Sequence, residues 1–167
     1  MSRADAAAAA ARRARLTALT VGLAVLLLVG AFVLMVIFVQ DEVPLNAAGP
    51  VSPTEGYDRG GLVFIGTINV WEVRGRMLED SSGQVAFVFD LTGPSGQPAP
   101  DMLDMQLYLA APGAEPPGQP LRWAALGSGR YTAGAQLPVA GRWEFRIAFP
   151  GIAGVFAFAG GPAGNGS

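Results

Sequence analysis

The chain has 167 residues, enough for one ordinary domain, and only 14% of them are charged where soluble domains usually run at about 25%. It contains no cysteine, histidine or lysine, which excludes disulfides, thiolate nucleophiles, zinc sites of the usual kind, histidine acid–base chemistry, Schiff bases and P-loops. The formal net charge is −2, and after residue 40 seven arginines stand against twelve acids, a net −5 that argues against nucleic acid and anionic lipid surfaces as partners.

The N-terminal tail, residues 1–15, holds Arg3, Arg12, Arg13 and Arg15 against one acid, Asp5. Residues 16–40, LTALTVGLAVLLLVGAFVLMVIFVQ, carry no charge and no proline, and about 20 apolar residues suffice to cross a bilayer core as a helix. The arginines before the run and Asp41 and Glu42 after it predict a cytoplasmic N-terminus and an extracytoplasmic C-terminal part. A cleaved signal peptide ending near Asn46-Ala47-Ala48 is the competing reading, but signal cores run to about 7–15 residues and this one is longer. Gly22 and Gly30 are eight apart and leave room for a neighbouring helix to approach.

Residues 41–56 carry three prolines and no sustained period, which predicts a semi-rigid linker lifting the next domain off the bilayer. From Tyr57 to about residue 160 the pattern becomes that of a β domain. Residues 62–77, LVFIGTINVWEVRGRM, are rich in β-branched side chains and contain Gly66 and Gly75, so they are expected as a strand, with a surface amphipathic helix as the alternative.

Period-2 alternation is clearer downstream. It runs through Val85, Phe87, Phe89 and Leu91, then Leu103, Met105, Leu107 and Leu109, then Leu121, Trp123 and Ala125. Two further runs are Tyr131, Ala133, Ala135 and Leu137, and Trp143, Phe145, Ile147 and Phe149, with Arg142, Glu144 and Arg146 on the opposite, wet face. Turn signals separate them at 81–83, 93–98, 112–120, 127–129 and 138–141. Residues 154–159 are a candidate edge strand, and 161–167, GPAGNGS, a disordered tail. The expected fold is an all-β Ig-like sandwich of about seven short antiparallel strands, preceded by one transmembrane α-helix. Gly129 and Gly141 are expected in turns that need positive φ, with Tyr131 and Trp143 pointing inward two residues later.

The span, the proline-bearing segment, and then LTGPSGQPAPDMLDMQLYL and LGSGRYTAGAQLPVAGRWEFRIAF resemble the FixH/YtkA-like family. The shared pattern is G-x-P before a strand, then G-x-Y, then L-x-x-x-G-x-W, carried here by Gly96, Pro98, Gly129, Tyr131, Leu137, Gly141 and Trp143. The match covers about residues 85–150, and Tyr57 would correspond to a membrane-proximal tyrosine of the family. The resemblance implies an Ig-like outer domain on a membrane anchor. It further implies an accessory role in assembling haem-copper cytochrome oxidases, alongside a copper-exporting ATPase.

Among candidate sites, Met102 and Met105 have the M-x-x-M spacing of soft copper(I) ligands, though positions i and i+3 of a strand face opposite sides and no histidine or cysteine completes a shell. Core packing is the favoured role for the pair, and no cofactor is expected. Asp90, Asp101 and Asp104 read as solvated carboxylates, and Ser81, Ser82 and Ser128 as serines without an activating base. Arg74, Arg76, Arg122, Arg130, Arg142 and Arg146 are candidate interface residues on outward positions. The functional expectation is therefore a non-enzymatic protein of the inner membrane whose outer domain docks on a membrane complex such as a respiratory oxidase during assembly. A permanent accessory subunit bracing such a complex is the alternative, and a thioether copper carrier comes after it.

Overall fold

The computed structural model describes residues 20–30, 41–111, 114 and 118–163. Two compact units are present, Met1–Val39 and Gln40–Ser167. In the first, residues 20–30 are helical and lie within the predicted span, whose remaining residues, 16–19 and 31–40, fall outside the described residues, as does the tail 1–15. Among the described residues no helix is long and apolar enough to cross a membrane.

The second unit consists of eleven strands: β1 (Asp41–Pro44), β2 (Asn46–Val51), β3 (Gly60–Ile68), β4 (Trp71–Glu79), β5 (Gln84–Thr92), β6 (Gln106–Ala110), β7 (Gln119–Leu121), β8 (Trp123–Gly127), β9 (Arg130–Gln136), β10 (Gly141–Phe149) and β11 (Ile152–Gly160). They form a five-stranded sheet, β1-β11-β10-β6-β7, and a six-stranded sheet, β2-β3-β4-β5-β9-β8. Every pairing is antiparallel except β1 with β11. The sheets pack face to face because each strand sends alternate side chains inward. Phe64, Phe87 and Phe89 from one sheet meet Phe145, Phe156 and Phe158 from the other. At the centre the Phe87 and Phe145 rings stack with centroids 3.9 Å apart and planes 4° apart.

The alternation read from sequence holds for β5, β9 and β10, whose named inward side chains are buried apart from the half-buried Ala135. Four expectations need correction. First, residues 41–56 are not a spacer: Asp41–Pro44 pairs with β11 and Asn46–Val51 with β3, so the chain changes sheets at Leu45. Leu45 is buried where Gly66 and Gly154 leave space for it; a Cβ on Gly66 would come within 2.6 Å of its Cδ2. Three prolines concealed these strands because proline is tolerated at edges, where β1 and β2 both lie.

Second, residues 62–77 are strand, but two strands, folded at a turn where Asn69 has φ of 55°. Third, residues 121–126 are likewise divided, with Leu121 ending β7 in one sheet and Trp123 opening β8 in the other, while the run from Leu103 becomes β6 only at Gln106. Fourth, the tail is held as far as Ala163: Gly161 is buried and the Ala163 amide donates to Ser81 O at 3.1 Å. Residues 164–167 lie outside the described residues.

Candidate functional site

Register places the connections at two ends of the sandwich. The proximal end is where the chain enters β1, with the Asp41 amide donating to Gly151 O at 3.3 Å. From the pairings, the β3–β4, β8–β9 and β10–β11 turns and the β5–β6 loop share this end. The β2–β3, β4–β5 and β9–β10 connections lie at the distal end, with the C-terminal segment. Tyr57 is distal, in the β2–β3 connection.

The residues of the G-x-P and G-x-Y elements meet at the proximal end. Gly96, with φ of 79°, turns the β5–β6 loop and donates its amide to Gly93 O at 2.9 Å. Pro98 bridges back to Thr92. Gly129, with φ of 75°, packs directly on this loop: a Cβ there would lie 2.8 Å from Ala99 N and Leu91 O and 2.9 Å from Pro98 Cβ. Its carbonyl accepts from the Leu91 amide at 2.8 Å, and the Leu91 carbonyl accepts from Ala99 at 3.0 Å. Tyr131 is fully buried between Phe89 and Trp123 and donates its hydroxyl to Pro100 O at 2.6 Å. Burial, and secondarily the charge of Asp101, push its phenol above the usual tyrosine range.

The L-x-x-x-G-x-W element is distal. Leu137 is buried and its amide donates to Gly83 O at 2.9 Å, while buried Trp143 donates Nε1 to Val139 O at 3.3 Å. Gly141 departs from expectation, since its φ is not positive and its Cβ position is open, so that site makes no demand for glycine.

Core packing, expected of both Met102 and Met105, holds for Met105 alone. Met102 is 94% exposed in the β5–β6 loop, whereas Met105 is 4% exposed in the core, so the two sulfurs occupy different surroundings. Among the described residues no group of three or more histidine, cysteine or acidic side chains is arranged to hold a metal. Asp90 is paired with Arg130, Nε to Oδ1 at 2.7 Å and Nη2 to Oδ2 at 3.3 Å, which raises the Arg130 pKa. Asp101 and Asp104 are exposed, as is Ser128. Ser82 donates its hydroxyl to Asp80 at 2.7 Å, and that carboxylate also accepts the Ser82 and Gln84 amides at 2.9 Å each. These bonds hold Asp80 below the ordinary carboxylate range, so it closes a turn and is a poor base for the serine.

Arg74 pairs with Glu72 on the surface, and Arg76, Arg122 and Arg142 are exposed. Arg146 corrects the outward reading, because it is buried. Its guanidinium runs along the outside of the first sheet to Glu144, at 2.7 Å, and to Glu42 on β1. It passes β11 where the residues are short, Ala153 and Val155. Burial alone would lower its pKa, but the two carboxylates outweigh burial and raise it. Nε has no partner among the described residues.

Sequence reasoning missed one further cluster. At the distal end buried Glu79 accepts from Arg59 Nη1 at 3.1 Å and from the Gly161 amide at 2.6 Å, while Arg59 Nη1 also donates to Gly161 O at 2.5 Å. The three residues are too far apart in sequence for any local pattern to join them. No protein-family model, curated protein or solved structure matches the chain.

Proposed function

We propose that this is a non-enzymatic, single-span protein of the inner membrane, with its N-terminus in the cytoplasm and its sandwich outside. The sandwich docks on a membrane complex and assists the assembly of a haem-copper cytochrome oxidase, as the FixH/YtkA-like resemblance implies. One observation carries the anchor: helical residues 20–30 expose seven large apolar side chains, 54–73% accessible and distributed around the helix. A helix that is apolar all round and uncovered by protein belongs in lipid.

Two features favour an Ig-like outer domain of this family. The order β4-β5-β9-β8 opposite β11-β10-β6-β7 matches the A-B-E-D and G-F-C arrangement of Ig-like sandwiches, with β7 added beyond C and β1 to β3 as extra strands. In addition, the G-x-P and G-x-Y elements on which the resemblance rests pack against each other, which gives their co-occurrence a physical reason.

Isolation of the tagged protein in mild detergent tests the reading. Oxidase subunits at an incomplete, precursor stage are the expected companions, and loss of the protein should lower assembled oxidase. Absence of any oxidase subunit, with oxidase levels unchanged on deletion, removes the proposal. Among the described residues nothing lies within 4 Å of the Cβ positions of Gly22 and Gly30, which leaves room for the second reading, a permanent subunit packed on a neighbouring helix. Constant stoichiometry with the mature complex distinguishes it. Copper carriage by thioethers is not adopted, given the separate surroundings of Met102 and Met105.

A further inference from the structure

We infer that the proximal end of the sandwich is a bilayer-facing surface, with the tips of the β3–β4 turn, the β5–β6 loop and the β8–β9 hairpin seated at the lipid interface. The inference rests on the single-span reading above. Its starting point is that β1 begins at Asp41, directly after residues 16–40, which the sequence predicts as the span, so that on this reading no residues are left over for a spacer. A residue reaches at most about 3.6 Å, so the end through which the chain enters is kept within a short distance of the bilayer.

The surface at that end has the chemistry such a position requires. Among its described residues the outer domain has five exposed large apolar side chains, Ile65, Val70, Met102, Leu126 and Val139. Three of them crown proximal turns: Val70 at 49%, Met102 at 94% and Leu126 at 56% exposure. They come from three separate connections that register brings to one end. Ile65 stands on the outer face of β3, in register with Arg74 of the proximal half of β4, and only Val139, at 60%, is distal.

Charge selects the kind of lipid contact. Asp41, Asp101 and Asp104 are exposed at this end and form no ion pair among the described residues, while the proximal arginines Arg74 and Arg130 are paired to Glu72 and Asp90. The free carboxylates at this end disfavour anionic headgroups. The contact is an apolar one made at the high local concentration a direct tether enforces. It fits a zwitterionic leaflet and should be insensitive to salt.

The absence of cysteine makes the test direct. Single variants Val70→Cys, Met102→Cys, Leu126→Cys, Val139→Cys and Leu26→Cys of the full chain are labelled with an environment-sensitive fluorophore and reconstituted in phosphatidylcholine vesicles. Quenching is compared between lipids spin-labelled near the headgroup and aqueous iodide. The expected result is blue-shifted emission, lipid quenching and protection from iodide at positions 70, 102 and 126, with iodide quenching at 139 and unchanged signals in high salt. If position 26 lies in lipid but the three tips meet water, the anchor stands and this inference falls. If position 26 also meets water and the chain does not float with vesicles, both fall. Lipid quenching at 139 equal to that at 102 overturns the end-on orientation. Tips that meet water in vesicles but are shielded in native membranes, or shielded only at high protein-to-lipid ratio, assign the surface to a partner protein or a second copy and overturn the lipid assignment.

Discussion

The two ends of the sandwich are closed by different chemistry. At the proximal end Gly129 and Tyr131 fasten the β5–β6 loop through backbone carbonyls and one buried phenol, all uncharged. At the distal end a buried carboxylate and a half-exposed guanidinium grip the backbone of Gly161, which draws the end of β11 toward the β4–β5 turn of the other sheet. The neutral closure leaves apolar loop tips free to point outward. The ionic closure uses its charges to fix the C-terminal segment. The difference separates the end proposed above to face the bilayer from an end whose ion pair holds the two sheets together.

The largest effect that sharpens this contrast is expected at the distal end. Trp143 lies opposite Phe158 in the register and its indole caps the β9–β10 connection, so Trp143→Ala removes an aromatic body and leaves a cavity. The expected cost is about 3–5 kcal/mol, measured by denaturant unfolding of the outer domain. An unchanged midpoint would mean that Trp143 is not part of the core.

Next comes the ionic grip. Glu79→Ala leaves the Gly161 amide and the Arg59 guanidinium without their acceptor, and hydrogen bonds to a charged group contribute about 1.5–3 kcal/mol. Arg59 is 42% exposed, so solvent screening places its share at the low end. Removing residues 161–167 should cost more, since it also breaks the Arg59–Gly161 O and Ala163–Ser81 O bonds, and the two changes together should cost less than their sum, because the Glu79–Gly161 bond is lost in both. Strict additivity in the double variant would show that the bond between Glu79 and Gly161 contributes nothing to stability.

The glycines provide a narrower comparison. Gly129→Ala must accept positive φ and a Cβ 2.8 Å from two backbone atoms, for an expected cost of about 1–3 kcal/mol. Gly141→Ala meets open space in ordinary backbone and should change stability by less than about 0.5 kcal/mol. Equal effects at the two sites would remove the distinction drawn between the closures.

The sequence carried these features unevenly, for physical reasons. Tyr131, Trp143 and the inward faces of β5, β9 and β10 were legible because burial imposes a local period of two, which six or seven residues suffice to display. The strands β1 and β2 were not, because each is a short edge strand bearing a proline, β2 a glycine as well, and only pairing with β11 and β3 makes them β. Glu79 and Arg59 were hidden because an ion pair has no period. Arg146 was misread for a related reason: alternation predicts the face a side chain takes but not whether Glu42, from the far end of the chain, will cover it. The M-x-x-M pair was legible as a spacing, yet whether its two sulfurs share surroundings depends on a strand beginning at Gln106 and not at Leu103.

The smallest effect bears on the neutral closure. Tyr131→Phe keeps the ring between Phe89 and Trp123 and deletes only the bond to Pro100 O, for an expected cost of about 1 kcal/mol near neutral pH. Its signature is in the pH dependence. The Tyr131 pKa is raised in the folded state, so the neutral phenol is favoured there. Its contribution is fully present below the unfolded value of about 10 and is lost as pH rises through the folded value. Between the unfolded and the folded values the unfolded chain binds fewer protons at this site than the folded one, so parent stability falls with pH there while the phenylalanine variant is spared this component. The gap between the two melting temperatures should therefore narrow from pH 8 to pH 11. A gap that stays constant across that range would mean that the hydroxyl of Tyr131 reaches water, and the proximal closure would then lose its central hydrogen bond.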